Sequence, residues 1–238
     1  MAETLDSEAV GRNVRTVLEN IRRSAQRAGR PPESVRLVAA TKSVPPEPIR
    51  WAIAAGVGIL GENRLQEALP KIEALGSDGV SWHFIGRLQR RKVKAVVGLF
   101  RLIHSVESLE LAEEINRRAA EAGIVQPVLL EVNVGGEASK GGFAPEALEE
   151  ALAAMDGLPS LAVQGLMAIP PPSPDAEGSR LHHRRLRELA RSLAGGRWLR
   201  VRLEEISMGM SQDYEVAIEE GATYVRVGTA IFGARPDA

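Results

Sequence analysis

Residues 201–233 read VRLEEISMGMSQDYEVAIEEGATYVRVGTAIFG. Val201 to Ser207 is a short β-rich run, and glycine at 209 marks a loop. Tyr214 to Glu220 has helical spacing and is closed by Gly221. Thr223 to Val227 is a second β-branched run, followed by Gly228-Thr229. Strand, crossover helix, strand is the unit of a parallel sheet.

Working back toward the N-terminus, the same unit recurs. Strands are expected at Val35 to Ala40, Gly58 to Gly61, Trp82 to Ile85, Leu102 to Val106, Val128 to Val134 and Leu161 to Ala168. Helices are expected at Pro48 to Ala55, Leu65 to Leu75, near Lys92 to Val97, at Leu109 to Ala122, Glu146 to Met155 and Glu177 to Leu193. A leading helix within residues 1–30 precedes them all, with Val10, Val14, Val17, Leu18 and Ile21 at steps of three or four. Eight strands alternating with helices in 238 residues predict an α/β fold, a single (β/α)8 TIM barrel with an extra N-terminal helix. One domain, 1–238, is expected. A doubly wound open sheet is the alternative, but the first strand runs into Thr41-Lys42-Ser43 rather than a glycine-rich phosphate turn.

Composition narrows the function classes. The chain is 44% hydrophobic and 26% charged, as ordinary folded proteins are. Thirty basic against 31 acidic side chains give a net charge of -1, so no global field favours nucleic acid or anionic lipid. Cysteine is absent, which excludes disulfides, thiolate metal sites and cysteine nucleophiles and suits a reducing cytoplasm. The opening MAETLDSEAV is too acidic for a signal peptide, and no run reaches the roughly 18 apolar residues of a membrane span. Neither HExxH nor GxSxG occurs, so zinc and serine-hydrolase chemistry are not expected.

In a barrel the loops after the strands build the site. Lys42 ends the first strand, Asn63 the second, and Met167 the sixth, while His83 lies on the third. A desolvated lysine can attack a carbonyl, whereas a snorkelling lysine only reaches water. Ser207-Met208-Gly209 and Gly228-Thr229 follow strands seven and eight, where barrels commonly hold phosphate; ordinary tight turns are the other reading. The lysine is expected across the mouth from this cup. Arg226 faces the same side as Gly228 and needs a partner, either an aromatic ring nitrogen or a carboxylate such as Glu205. His104 is a candidate proton carrier or packing residue. His182 and His183 are read as solvated on a surface helix. The basic clusters at 87–94 and 180–202 are read as solvated faces, since nucleic-acid binding would want interleaved aromatics.

Motifs along nearly the whole chain are similar to those of the pyridoxal phosphate homeostasis proteins, which look like the barrel domain of alanine racemase standing alone. They are LVAATK (37–42), GEN (61–63), WHFIGRLQ (82–89), HSV (104–106), SKGG (139–142), GLM (165–167), SMGMSQD (207–213) and VRVGTAIFG (225–233). The chain departs from that pattern at Arg64 and His183. The resemblance implies a vitamin B6 cofactor, pyridoxal 5'-phosphate, covalent at Lys42 as an internal Schiff base. It implies phosphate contacts at Ser207, Gly228 and Thr229, Arg226 facing the pyridine nitrogen, and Asn63 near the ring; His83, Met167, Met208 and Gly209 complete the expected cofactor site. The implied role is intracellular cofactor homeostasis and delivery, affecting amino-acid and keto-acid balance, without a catalytic residue. Implied partners are amino acids and pyridoxal-phosphate-dependent apoenzymes, and the protein is expected to be a monomer. The alternative is a weak amino-acid racemase. Alanine racemase brings a second base from another domain, for which a chain ending at Ala238 is expected to leave no room.

Overall fold

A computed structural model describes residues 5–137, 141–196 and 198–234. Helix α1 (Ser7–Arg27) leads. Then β1 (Arg36–Ala40), α2 (Pro46–Ala54), β2 (Ile59–Glu62), α3 (Leu65–Leu75), β3 (Ser81–Phe84), α4 (Val93–Val96) and β4 (Leu102–Val106) follow. Next come α5 (Leu109–Glu121), β5 (Gln126–Glu131), α6 (Leu148–Asp156), β6 (Leu161–Met167) and α7 (Arg180–Leu193). The chain closes with β7 (Val201–Ser207), α8 (Tyr214–Glu219), β8 (Tyr224–Val227) and α9 (Thr229–Phe232). The eight strands are parallel and form a closed barrel in sequence order, with β8 pairing back onto β1.

Two apolar layers result. Strand residues that face outward pack under the helices, as Val225, Val227, Ile103 and Val128 do. Those that face inward fill the barrel, where Val38, Leu102, Leu129, Met167 and Tyr224 form a separate cluster. Gly61 is part of that fit: a Cβ there would lie 2.7 Å from the Val38 side chain. The interior is thus a packed core, not a pore.

Helix α9 is a single turn, too short to cover the seam between β8 and β1. The leading helix takes its place in the outer ring, packed against α2, α8 and α9. Asp6 caps it by accepting from the Ala9 N–H at 2.8 Å. Val10, Val14, Val17, Ile21 and Ala25 form its buried stripe. Polar contacts fix its docking: Asn13 Nδ2 donates to the Ile231 carbonyl at 3.0 Å and Asn20 Nδ2 to the Tyr214 hydroxyl at 2.9 Å.

One strand is shorter than its apolar run suggests. β5 stops at Glu131, although Val132 and Val134 continue the pattern. Phe143 folds back, donating its N–H to the Glu131 carbonyl and accepting from the Asn133 N–H, so the run leaves the sheet. Among the described residues, no helix is long and apolar enough to cross a membrane.

Candidate functional site

Barrel closure decides the geometry of the mouth. Because β1 pairs with β8, Lys42 and the Gly228-Thr229 turn emerge from neighbouring strand ends rather than facing each other across the opening. A Cβ on Gly228 would lie 3.1 Å from the Ala40 carbonyl oxygen, so a side chain there would push the two ends apart by a few tenths of an ångström. Ser211 stitches the β7 loop to this turn, its Oγ accepting from the Gly228 and Ala230 N–H groups at 3.2 Å each. Gly209, at φ 86°, makes the loop's bend and accepts the Arg226 N–H at 2.9 Å. Asp213 ties the loop down: Oδ1 accepts from the Met210 N–H at 2.7 Å, and Oδ2 pairs with His183 Nε2 at 2.9 Å. Burial alone would raise the Asp213 carboxyl, but the bonds from His183 and Met210 prevail and hold it below its ordinary value.

Lys42 is held by its neighbours on both sides. Lys71, 7% exposed, donates from Nζ to the Thr41 carbonyl and to Glu62 Oε1, each at 2.7 Å. The Thr41 hydroxyl donates to the same Glu62 oxygen at 2.5 Å. On the other side the Ser43 N–H donates to Glu67 Oε2 at 2.8 Å. Ser43 has φ 61°, the one non-glycine among the described residues in the left-handed region. Such a conformation persists only where the surroundings over-determine it, as they do here. Two buried atoms beside this segment have no hydrogen-bond partner, Glu62 Oε2 and Asn63 Oδ1. Buried polar atoms are usually satisfied, so these orphans mark a place fit for a polar ligand.

Beneath the mouth a polar chain crosses the apolar barrel. Arg226 donates from Nη1 to Ser207 Oγ at 2.6 Å and from Nη2 to the Ala168 carbonyl at 3.0 Å. Ser207 Oγ is 2.9 Å from His104 Nδ1, and His104 Nε2 is 2.9 Å from His83 Nδ1. Desolvation pulls Arg226 down to about 10, opposed by Glu131 and Asp213, so it stays cationic at neutral pH. Desolvation, His83 and the charge of Arg226 push His104 well below the usual histidine range. Desolvation, Arg36 and Arg101 lower His83 to about 3. Both imidazoles are therefore neutral at pH 7.

The structure thus brings Lys42, Asn63, Gly209, Gly228 and Thr229 to one end of the barrel, with Met167, Ser207 and Arg226 buried just below. Met208 faces the other way, into the apolar layer beneath the helices. His83 lines a cavity at the N-terminal end of the barrel. Glu205 does not pair with Arg226; it meets Arg36. His183 is not solvated but 1% exposed, because its face of α7 packs onto the β7 loop where Asp213 waits. Part of the basic face of α7 is paired, as Arg180, Arg184 and Arg187 converge on Glu220 and Arg180 also meets Glu177 and Glu219. Ser139 and Lys140 of the SKGG stretch lie outside the described residues. Ser211 and Lys71 were not singled out by sequence reading. Lys71 was detectable, since it shares the buried face of α3 with Leu65 and Ala68 at steps of three.

Comparison with known proteins places this architecture. Residues 13–236 match the family model "Alanine racemase, N-terminal domain". The pyridoxal phosphate homeostasis protein of Aquifex aeolicus is 51% identical over 92% of this chain and 95% of its own. That of Escherichia coli K12 is 40% identical over 95% of this chain and 97% of its own. Among solved structures, PipY of Synechococcus elongatus with PLP bound has a TM-score of 0.78 and 38% identity, covering 90% of this chain and 99% of PipY. Alanine racemase from Corynebacterium glutamicum, 18% identical with a TM-score of 0.71 over 98% of this chain and 63% of that one, shares the fold. With those relatives matched nearly end to end, the chain belongs to the pyridoxal phosphate homeostasis proteins, built on the N-terminal domain of alanine racemase.

Proposed function

We propose that this protein binds pyridoxal 5'-phosphate at the C-terminal mouth of the barrel, attaches it through the Lys42 amine, and holds it for delivery to apoenzymes inside the cell. The observation that carries this reading is the side-by-side emergence of Lys42 and Gly228-Thr229 from paired strands, above a buried arginine. The residues fit the group. Gly228 brings its N–H beside the lysine segment, Thr229 is exposed at the same turn, and the orphaned Asn63 Oδ1 offers an acceptor. When bound, the cofactor supplies an aldehyde that a primary amine can trap and a ring able to spread charge. Gly228, Thr229 and Ser211 would hold the phosphate, and Met167 and Asn63 would flank the ring.

Arg226 sets the character of the site. Its guanidinium has five donors and no acceptor, and two nitrogens are already committed to Ser207 and Ala168. It cannot take up a proton or share one as a carboxylate does. A site that offers a ring nitrogen only donors gives little help to carbanion chemistry, which favours a carrier over a racemase. The test is absorbance of the purified protein with added cofactor, followed by borohydride reduction and peptide mapping. A new visible band and label on the peptide containing Lys42 are expected. Label on another lysine overturns the assignment.

A further inference from the structure

The N-terminal end of the barrel holds a cavity of about 360 Å³, on the side opposite Lys42. Arg36, Arg101, His83, Gln164, Tyr224 and Glu205 line it. Its charges do not balance. Glu205 is taken by Arg36, which lies 3.9 Å above the Tyr224 ring, and Glu204 is met by Arg202 at 3.6 Å. The Arg101 guanidinium has no ion-pair or hydrogen-bond partner among the described residues, so three arginines face two glutamates and the cavity carries one uncompensated positive charge. His83 is 3% exposed, and its Nε2 also has no partner there. An unpaired guanidinium beside a histidine whose free ring nitrogen opens into the same cavity suits an anion.

The back of the same His83 ring starts the chain that ends on Arg226. Neutral imidazoles carry one N–H each, and Arg226 only donates. Two orders satisfy the distances. In the first, the Ser207 hydroxyl donates to His104 Nδ1, His104 Nε2–H to His83 Nδ1, and His83 Nε2–H points into the cavity. In the second, every donor reverses. His83 Nδ1–H then donates to His104, His104 Nδ1–H donates to Ser207 Oγ, and the Ser207 hydrogen is released toward the mouth. Passing from first to second delivers one proton to water in the cavity and takes one from water at the mouth, with no net change. An anion accepting from His83 Nε2–H is compatible with the first order alone.

We propose that the N-terminal cavity is a second binding site, for a small carboxylate- or phosphate-bearing anion, and that its occupancy withdraws the Ser207 hydroxyl from the mouth through His104. The site itself stands apart from the cofactor reading; only the consequence at the mouth rests on it. By linkage, the two ligands must weaken each other equally.

The test uses the full chain with 15N-labelled histidine, without and with pyridoxal 5'-phosphate, titrated with acetate and separately with inorganic phosphate. Saturable shifts at His83 and His104 are expected, ending with both Nδ1 atoms unprotonated; the tighter anion identifies the preferred headgroup. R101Q should weaken anion binding about tenfold, the worth of one charge-assisted contact, with R101K restoring part of it. Arg101 is exposed and unpaired, so R101Q should fold and bind cofactor as before. Acetate should weaken cofactor binding several-fold in the wild type and need about tenfold more acetate to do so in R101Q, whereas competition at the mouth would act at the same acetate in both. No saturable shift with either anion, or equal affinity in R101Q, overturns the site. Anion binding without a tautomer change at His104 overturns the connection. If the cofactor fails to bind at all, the anion titration of the unloaded chain still decides the site.

Discussion

The ammonium of Lys71 sits 2.7 Å from Glu62 Oε1 and 2.7 Å from the Thr41 carbonyl, so one buried ion pair holds the backbone on which Lys42 is mounted. Removing one partner of such a pair strands a charge in the core. Lys71→Met should therefore destabilise the fold by about 3–5 kcal/mol, read from urea unfolding. The double variant Lys71→Met with Glu62→Leu should recover most of that stability, because no charge is then left unpaired. It should still bind cofactor more slowly than wild type, since the Thr41 carbonyl has lost its anchor. Fast binding by the double variant would show that the anchor is irrelevant to Lys42.

Phosphate contacts should dominate retention. Thr229→Val removes a hydroxyl from an exposed turn without emptying the core. Pyridoxal 5'-phosphate affinity should fall about tenfold, the worth of one hydrogen bond to a charged group, while unphosphorylated pyridoxal is unaffected. Equal losses for both ligands, measured by fluorescence titration, would place the phosphate elsewhere.

Stability should depend on pH through the buried histidines. Both His83 and His104 are lowered in the folded state, so the unfolded chain binds the extra protons. Stability is then full above the unfolded value near 6.5 and is lost as pH falls, for His83 down to about 3. Each histidine contributes a slope of up to about 1.4 kcal/mol per pH unit. Urea midpoints between pH 7.5 and 5 should show it, before carboxylates begin to titrate. His83→Gln should flatten the slope, and an unchanged slope would contradict the assignment.

Wild-type protein should not speed loss of the amino-acid α-hydrogen. NMR of L-alanine in deuterated water, with loaded protein against free cofactor, measures it directly. Exchange well above free cofactor would favour the racemase reading and require a base that Arg226 cannot be.

Much of this was legible in the residues. Alternating strand and helix periods identified the barrel, and period two placed Arg226 and Gly228 on one face. What period two cannot tell is the end of the barrel that a side chain serves. His83 shares the inner face with the cofactor candidates, yet lines the N-terminal cavity, because β3 is only Ser81–Phe84. The closed barrel expected from the residues already puts the last strand beside the first, so Lys42 belongs next to Gly228, and its placement across the mouth did not follow from that fold. Lys71 and His183 were obscured for one reason: their partners, Glu62 and Asp213, lie on other elements, and an amphipathic pattern records burial without naming the partner.

The leading helix has a consequence for how the molecule is made. Its apolar stripe is covered by α8 and α9, and its bond from Asn13 to Ile231 spans 218 positions. During synthesis the first helix emerges long before the segment that shelters it. The ring cannot close until β8 has been made, so the part of the α1 stripe that α2 leaves bare stays uncovered for most of translation. Closure must then bring α1 onto α8 and α9, a non-local step of the kind that slows folding.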